Sequence, residues 1–257
     1  MSPQNYKPNT KRASETGSAL VYILIAIALL AALTVSFMEP SSQQTSSQNT
    51  FKTVAGMQGQ IDTIRSAIQE CILIYPSGDS TIPDNGLDGY FDDGYNKPYP
   101  LDPDSTHLHA SYRATAGNVN VSEIRCPGDN DGAANQHMKI FSGKSGKFMP
   151  PPPDLFEAWQ YYNGPDGVFY WIESTKSDAF ITSALQKLDA KFSDCEADVI
   201  DATSAAKALD GTSSVSCTSG STCLRVWLII DNDNTDHGTN EGTATSVYPD
   251  ETACNTP

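Results

Sequence analysis

The stretch SALVYILIAIALLAALTVSFM, residues Ser18–Met38, contains 21 residues and no charged side chain. As an α-helix it would extend about 31 Å, which matches the hydrocarbon thickness of a lipid bilayer. A helix satisfies its own backbone hydrogen bonds, so it can cross a layer that offers no hydrogen-bonding partners. We therefore expect residues 18–38 to form a transmembrane helix segment.

A polar leader, residues 1–17, precedes this apolar stretch and carries three basic residues against one acidic residue. Positive charges beside a first apolar span keep the N-terminus in the cytoplasm, which predicts export of everything after Met38. An ordinary secretory signal has a shorter apolar stretch of about 7–15 residues, with a small-residue cleavage site after it. Here the candidate processing point lies before the apolar stretch, because Gly17 ends the leader and Ser18 begins the run.

This arrangement of a basic leader, a glycine and an apolar helix resembles the type IV pilins and pseudopilins. The resemblance implies that a prepilin peptidase cuts between Gly17 and Ser18 and that the new N-terminus begins an assembly helix. Leu20, Val21, Ile23 and Leu24 match the apolar start of that assembly helix, and Pro40 lies close to where many members have a helix-kinking proline. The family usually has glutamate as the fifth mature residue, which here is Tyr22, and some minor pseudopilins lack that glutamate.

The same resemblance implies a structural role: a subunit of a type IV pilus-like filament or of a type II secretion pseudopilus. Its partners would be other pilin-like subunits in a homo- or hetero-oligomer, prepilin peptidase and an inner membrane assembly machinery. Before assembly the chain would cross the inner membrane once, with its N-terminus cytoplasmic; afterwards it would lie in a periplasmic or cell-surface filament. Whether it is a major or a minor subunit stays open. The alternative is a signal-anchored envelope protein that never polymerises and carries a periplasmic binding head.

A second helix is indicated by apolar residues spaced alternately three and four apart, which form one stripe: Val54, Met57, Ile61, Ile64, Ile68, Cys71 and Tyr75. Pro76 ends this pattern. Further along, Gly167–Ser174 and Cys223–Asp231 are β-branched and aromatic and predict strands. Ser177–Ala206 predicts a further helix, Tyr112–Arg125 alternates weakly and predicts strands, and the proline run of Met149–Asp154 predicts a stiff extended spacer.

The expected fold is therefore α+β: a long N-terminal helix, transmembrane in its first half, packed on an antiparallel β-sheet head with an additional helix and disulfide staples. The expected organisation is a leader over 1–17, a transmembrane segment over 18–38, a linker with the amphipathic half of the long helix over 39–76, and an exported head over 77–257.

Charge and cysteine content narrow the possible functions. The formal net charge is −15, and without residues 1–17 the chain has 13 basic and 30 acidic residues, or −17. This charge disfavours binding to nucleic acid because its phosphates would be repelled.

Six cysteines on the exported side predict disulfides in an oxidising compartment. They are Cys71, Cys126, Cys195, Cys217, Cys223 and Cys254. The favoured pairs are Cys71 with Cys126 and Cys195 with Cys223, although the spacing alone does not choose among about 15 connectivities.

The sequence contains no catalytic constellation: it lacks the G-x-S-x-G, H-E-x-x-H and Walker patterns, so we do not expect an enzyme. His107 and His109 would share a face of a strand, and a surface pair is the favoured interpretation. The best candidate for a ligand is Asp231–Gly242, where Asp231, Asp233 and Asp236 can present hard oxygens to calcium. Major type II pseudopilins bind calcium near their C-terminal strands, which supports calcium by resemblance. A plain Asp/Asn turn is the alternative, and Asp129 with Asp131 is a second, weaker candidate.

Overall fold

A computed structural model describes residues 16–38, 42–83, 95–96, 98–164, 167–176, 178–193, 195–210 and 214–230. The chain divides into two compact units, residues 1–48 and residues 49–257. The helices are α1 (Thr16–Met38), α2 (Ser42–Ile74) and α3 (Ala179–Asp189), with a short 3-10 helix at Val121–Glu123. The strands are β1 (Asp79–Pro83), β2 (Tyr95–Asn96), β3 (Arg125–Asn130), β4 (His137–Lys139), β5 (Gln160–Gly164), β6 (Gly167–Ser174), β7 (Ala197–Ala202), β8 (Lys207–Ala208), β9 (Ser216–Cys217) and β10 (Ser221–Ile230).

The predicted long N-terminal helix is wrong in two respects. The chain forms two helices, α1 and α2, where one helix from Ser18 to Tyr75 was expected. Pro40 lies between them in the sequence and outside the described residues; in general a proline disfavours the continuation of a helix, because it lacks a backbone donor and clashes with the preceding turn. Across the described part of the chain, no helix combines the length and the apolar character that crossing a membrane requires.

Helix α2 places the predicted apolar stripe against the rest of the head. Met57, Ile61, Ile64 and Ile68 are fully buried, and Val54 and Cys71 are nearly so. The helix ends at Ile74, two residues before the proline that was expected to stop it. The burial of these residues confirms the predicted amphipathic helix, because the buried positions recur with the period of an α-helix.

The main sheet has four antiparallel strands in the order β5-β6-β10-β7. The two strands predicted from the sequence are β6 and β10, and they occupy its centre. One face packs on α2 and α3. Its buried side chains include Tyr170 and Ile172 of β6 and Leu224 and Val226 of β10. The Tyr170 hydroxyl donates a hydrogen bond to the carbonyl oxygen of Ile61 at 3.4 Å, which ties α2 to the sheet.

The opposite face of the sheet carries a second core, which is aromatic. It contains Tyr162, Phe169, Trp171, Cys223 and Trp227, and it is closed by Leu209, Cys217 and Ala202. Side chains alternate between the two faces because the strand period is two residues. This alternation explains why β6 and β10 are buried on both sides, and why their sequences are nearly continuous runs of apolar residues.

Two disulfides join described residues. Cys71 of α2 is bonded to Cys126 of β3, as expected. The expected pair of Cys195 with Cys223 is wrong, because Cys223 is bonded to Cys217 across the turn between β9 and β10. Cys195 is also disulfide-bonded, and none of the described cysteines is free. Cys254 lies outside the described residues.

Two predicted segments adopt a different structure. The helix expected over Ser177–Ala206 ends at Asp189, and Ala197–Ala202 instead form the edge strand β7. The reason is tertiary pairing: β7 gains a full antiparallel ladder with β10, which a helix would forfeit. Tyr112–Arg125, expected as strands, is instead irregular chain, turn and 3-10 helix with an isolated bridge from Asn120 to Gln160, and it reaches a strand only at Arg125.

The proline run packs directly on α2. Gln60, which is 5% exposed, donates from Nε2 to the carbonyl oxygen of Pro151 at 2.5 Å. Its Oε1 accepts the indole N–H of Trp159 at 2.6 Å. A buried amide whose oxygen and nitrogen both have partners stabilises the structure, and it fixes where the run crosses the helix.

Candidate functional site

The predicted processing residues and all the predicted assembly residues except Pro40 lie on helix α1. Gly17 and Ser18 are in its first turn. Leu20 is 62% exposed, Tyr22 70% and Ile23 59%. Pro40 lies outside the described residues. The structure therefore places Leu20, Tyr22 and Ile23 on one helix with their side chains exposed.

Helix α1 is apolar on every side. No charged residue occurs between Thr16 and Met38. Ten large apolar side chains of this helix are exposed: Leu20, Val21, Tyr22, Ile23, Leu24, Ile25, Ile27, Leu29, Leu30 and Leu33. Thr34 donates its hydroxyl back to the carbonyl oxygens of Leu30 and Ala31 at 3.0 and 2.9 Å. A helix that is apolar on every side is normally buried. The exposed apolar side chains of α1 are therefore typical of an interaction surface.

A second exposed apolar surface lies at the C-terminal end of α2. Leu73 is 80% exposed and Ile74 is 56% exposed, and Phe148 is 72% exposed. The Lys147 ammonium contacts the Glu70 carboxylate at 2.6 Å, which holds the segment before Phe148 against the last turn of α2. We call Leu73 and Ile74, which adjoin in the last turn of α2, the α2-end patch.

A cavity of about 220 Å³ opens beside this patch. Ile74, Met138 and Ile140 provide apolar lining, and the Cys71–Cys126 disulfide forms part of its wall. Three lysines also line it, Lys139, Lys144 and Lys147. Each lysine has a carboxylate partner: Glu123 at 2.7 Å, Asp131 at 3.2 Å and Glu70 at 2.6 Å, respectively.

A buried histidine–carboxylate pair joins β1 to β4. His137 Nε2 lies 2.9 Å from Asp79 Oδ2, and the two side chains are 0% and 2% exposed. Thr81 donates to the other oxygen of Asp79 from its backbone N–H at 2.9 Å and from its hydroxyl at 2.6 Å. Desolvation is the largest single influence on the pKa of Asp79 and raises it, but the bonds from Thr81 and His137 together outweigh it. The pKa of Asp79 is therefore lowered.

The other ring nitrogen of this histidine, Nδ1, is buried and has no hydrogen-bond partner among the described residues. Burial lowers the pKa of His137 more than the neighbouring Asp79 raises it, and the charge of Arg125 lowers it further. A neutral imidazole that donates from Nε2 to an ionised carboxylate fits both pKa directions. The pair is therefore a structural link between the strands, with a proton-binding atom enclosed beside it.

An acidic group with a shifted pKa, Asp102, lies near the end of β5. Burial, together with the smaller effect of the negative charges of Asp104 and Asp210, raises the pKa of Asp102 to about 7. The backbone N–H of Asn163 donates to its Oδ1 at 3.0 Å and opposes this effect. Nearby, the Tyr161 hydroxyl donates to the carbonyl oxygen of Pro100 at 2.7 Å. The cluster holds a loop to the sheet.

The predicted calcium ligands Asp231, Asp233 and Asp236 lie outside the described residues. Within the part of the chain that is described, no group of three or more histidine, cysteine or acidic side chains could hold a metal ion. This finding covers Asp129 and Asp131, the weaker candidate.

The Nδ1 of His109 accepts a hydrogen bond from the backbone N–H of Ser111 at 3.2 Å, which ties that ring to its own turn.

Sequence reasoning missed the residues whose partners are distant along the chain. The buried Asp79–His137 pair spans 58 residues, and no local pattern distinguishes either side chain. The exposed α2-end patch was also missed, although Leu73 and Ile74 fall outside the apolar stripe of α2 and so signalled exposure.

Comparisons with known proteins add no family to this description. A scan against protein-family models, a search of curated proteins and a search of solved structures each found no match.

Proposed function

We propose that this chain is a structural subunit of a type IV pilus-like or type II secretion pseudopilus filament, processed after Gly17 and assembled through α1. The observation that carries the proposal is helix α1 itself, an uncharged helix whose large apolar side chains are exposed on all sides. Copies of such a helix can cover one another in a filament core, and the head is then displayed outside.

The apolar area of α1 is large enough to drive assembly. Its ten exposed large side chains are each between 50% and 70% exposed. Full burial of such a side chain stabilises by about 1.5–3 kcal/mol, so burying the exposed half of ten gives roughly 8–15 kcal/mol per helix. Association costs on the order of 4–15 kcal/mol in lost freedom, and a filament subunit meets several neighbours at once.

The head supports the same role. Helix α2 buries one complete stripe on an antiparallel sheet, and two disulfides fix described parts of the head. Disulfides persist in oxidising compartments outside the cytosol, which fits display in the periplasm or on the cell surface. A rigid, cross-linked head on an assembly helix suits a part that is built into a polymer.

Tyr22 gives the proposed assembly helix a distinct property. In the family the fifth mature residue is usually glutamate, and here a 70% exposed tyrosine occupies that position. Contact between neighbouring helices at this point would use an aromatic ring and a hydroxyl. The position therefore favours either a minor subunit or a major subunit with a different register contact.

The test is a filament assay with the full chain, produced together with prepilin peptidase and an assembly machinery. Ala28→Asp places a carboxylate in the middle of the apolar helix, and burying an unpaired charge costs several kcal/mol. We expect this variant to be missing from the sheared filament fraction. The matched control is Ser47→Asp, which adds the same charge at an exposed polar position of α2 and is expected to assemble.

Two results would count against the proposal. Filaments of normal yield from Ala28→Asp would show that α1 is not in a filament core. A wild-type chain that stays in the cell envelope and never enters the sheared fraction would favour the non-polymerising envelope protein with a binding head.

A further inference from the structure

We propose that a further disulfide joins Cys195 to Cys254 and anchors the C-terminal tail, residues 231–257, at the start of β7. The inference concerns the head and does not depend on filament assembly. Three observations carry it: the bonding state of Cys195, the pairing of the other described cysteines, and the position of Cys195 beside the end of β10.

The pairing follows by elimination. Cys195 is disulfide-bonded, and its partner belongs to the same chain because the structure contains one chain. The sequence has six cysteines. The other described cysteines are bonded to one another in two pairs, Cys71–Cys126 and Cys217–Cys223. Cys254 lies outside the described residues, and it is the one cysteine left as a partner for Cys195.

Cys195 lies close to the point where the tail begins. The backbone N–H of Trp227 donates to the carbonyl oxygen of Glu196, the residue after Cys195, at 2.9 Å. Strand β10 ends at Ile230, which is about 10 Å along the strand from Trp227. Residues 231–253 separate Ile230 from Cys254, and a chain of that length reaches up to about 75 Å. The tail is therefore long enough to return from the end of β10 to Cys195.

The composition of the tail shows what a covalent link would add. Residues 231–253 include six acidic residues and no lysine or arginine, and their large apolar side chains are only Val247 and Tyr248. A segment with high net charge and little apolar surface gains little from packing. Chain ends are also preferred sites of proteolysis unless something ties them down. A disulfide anchors such a segment without a hydrophobic contact, so its role would be to keep the tail attached outside the cell.

The test is peptide mapping of the full chain, purified from its own cells with free thiols alkylated and no reductant added. Trypsin cuts after lysine and arginine, so Cys195 lies in peptide 192–207 and Cys254 in peptide 226–257. Cys217 and Cys223 share a third peptide, 208–225. We expect 192–207 and 226–257 to be recovered as one linked product that a reductant separates. An alkylated Cys254 would overturn the proposal, and so would 192–207 linked to any other peptide, including a second copy of itself.

Two variants test what the link does. Cys254→Ser should leave one reactive thiol, at Cys195, whereas the matched control Cys217→Ser should leave one at Cys223 and keep the link to peptide 192–207. Carboxypeptidase applied to the native chain should stop at residue 254 in the wild type and in the control. In Cys254→Ser we expect the loss of residue 254 and of residues before it.

A reactive thiol at any other cysteine of Cys254→Ser, or equal trimming of all three proteins, would overturn the proposal. Neither the peptide map nor the trimming requires filaments. Failure of the filament proposal is therefore recorded separately, by the sheared fraction.

Discussion

Replacing Arg225 should expose how strongly one buried ion pair holds the sheet. Arg225 is 1% exposed in the middle of β10, and it lies directly opposite Asp198 of β7 in the strand register. Its Nε donates to Asp198 Oδ1 at 2.9 Å and its Nη2 to Oδ2 at 2.6 Å. Its remaining nitrogen, Nη1, donates to the carbonyl oxygen of Leu209. The guanidinium carbon lies 5.6 Å from the Phe169 ring centre and 4.6 Å from that of Trp227.

The expected cost of Arg225→Met follows from these contacts. Three charge-assisted hydrogen bonds are lost, two to Asp198 and one to Leu209, each worth about 1.5–3 kcal/mol, together with the contacts to the two rings at about 0.5–2 kcal/mol each. Two effects reduce the sum: methionine keeps most of the packing, and Asp198, whose side chain is 24% exposed, can bind water. We therefore expect a loss of about 3–5 kcal/mol, the usual result of breaking a buried pair on one side.

The assay is urea unfolding of the full chain followed by tryptophan fluorescence. All three tryptophans are buried in the head, so their emission reports its unfolding. With a slope of about 2 kcal/mol per molar urea, the expected loss lowers the midpoint by about 1.5–2.5 M. The double variant Arg225→Met with Asp198→Leu removes both charges and should recover most of the loss. A wild-type midpoint for Arg225→Met, or a double variant less stable than the single one, would refute the reasoning.

Three further perturbations address α2, the buried histidine and the disulfides. Ile64→Ala should lower the free energy of unfolding by about 2–5 kcal/mol, because this fully buried side chain leaves a cavity under α2; urea midpoints measure it. His137→Phe should reduce the loss of stability on acidification, because burial lowers the pKa of His137 below 6.5. The histidine's contribution is complete above the unfolded pKa of 6.5 and falls as the pH drops from there towards the folded pKa; urea midpoints from pH 7.5 to 5.5 measure it. Replacing Cys71–Cys126 with two serines should cost about 4 kcal/mol and replacing Cys217–Cys223 about 2 kcal/mol in the chain-entropy description, because the linked residues are 55 and 6 positions apart.

The controls keep these results specific. Leu73→Ala lies on the same helix as Ile64 but is 80% exposed, so its unfolding free energy should change by less than about 0.5 kcal/mol. In the pH series, Asp102 changes the free energy of unfolding in the opposite direction to His137. Because the pKa of Asp102 is raised to about 7 in the folded protein, its contribution to stability decreases as the pH rises. The histidine is therefore measured as the difference between wild type and His137→Phe. An identical pH dependence in both proteins would contradict the role assigned to His137, and equal costs for the two disulfides would contradict the chain-entropy description.

Local patterns predicted the parts of the fold whose structure depends on near neighbours. The stripe of α2 repeats with the helical period and is buried, and β6 and β10 are β-branched and aromatic runs that became the central strands. The helix predicted over the segment from Cys195 to Ala206 was wrong, because the apolar residues of this segment also fit a helical period. Its strand β7 exists only through pairing with β10, which no local window contains.

Long-range partners were the part that the sequence did not reveal. Asp198 and Arg225 are ordinary polar positions in the sequence, and only the strand register places them opposite each other. Asp79 and His137 likewise become a pair only when β1 and β4 approach. At the N-terminal end the apolar composition of α1 was plain, yet one continuous helix was expected and two are present.

The most direct test of the filament account is the mass of the intact protein purified from its own cells, with its N-terminal sequence. The account predicts a chain that begins at Ser18, produced by cleavage after Gly17, with methylation of the new terminus as further support. A chain that begins at Met1 would contradict prepilin-type processing and favour the non-polymerising envelope protein. A chain that begins beyond Ala32 would remove most of the assembly helix, and the filament account would then be wrong.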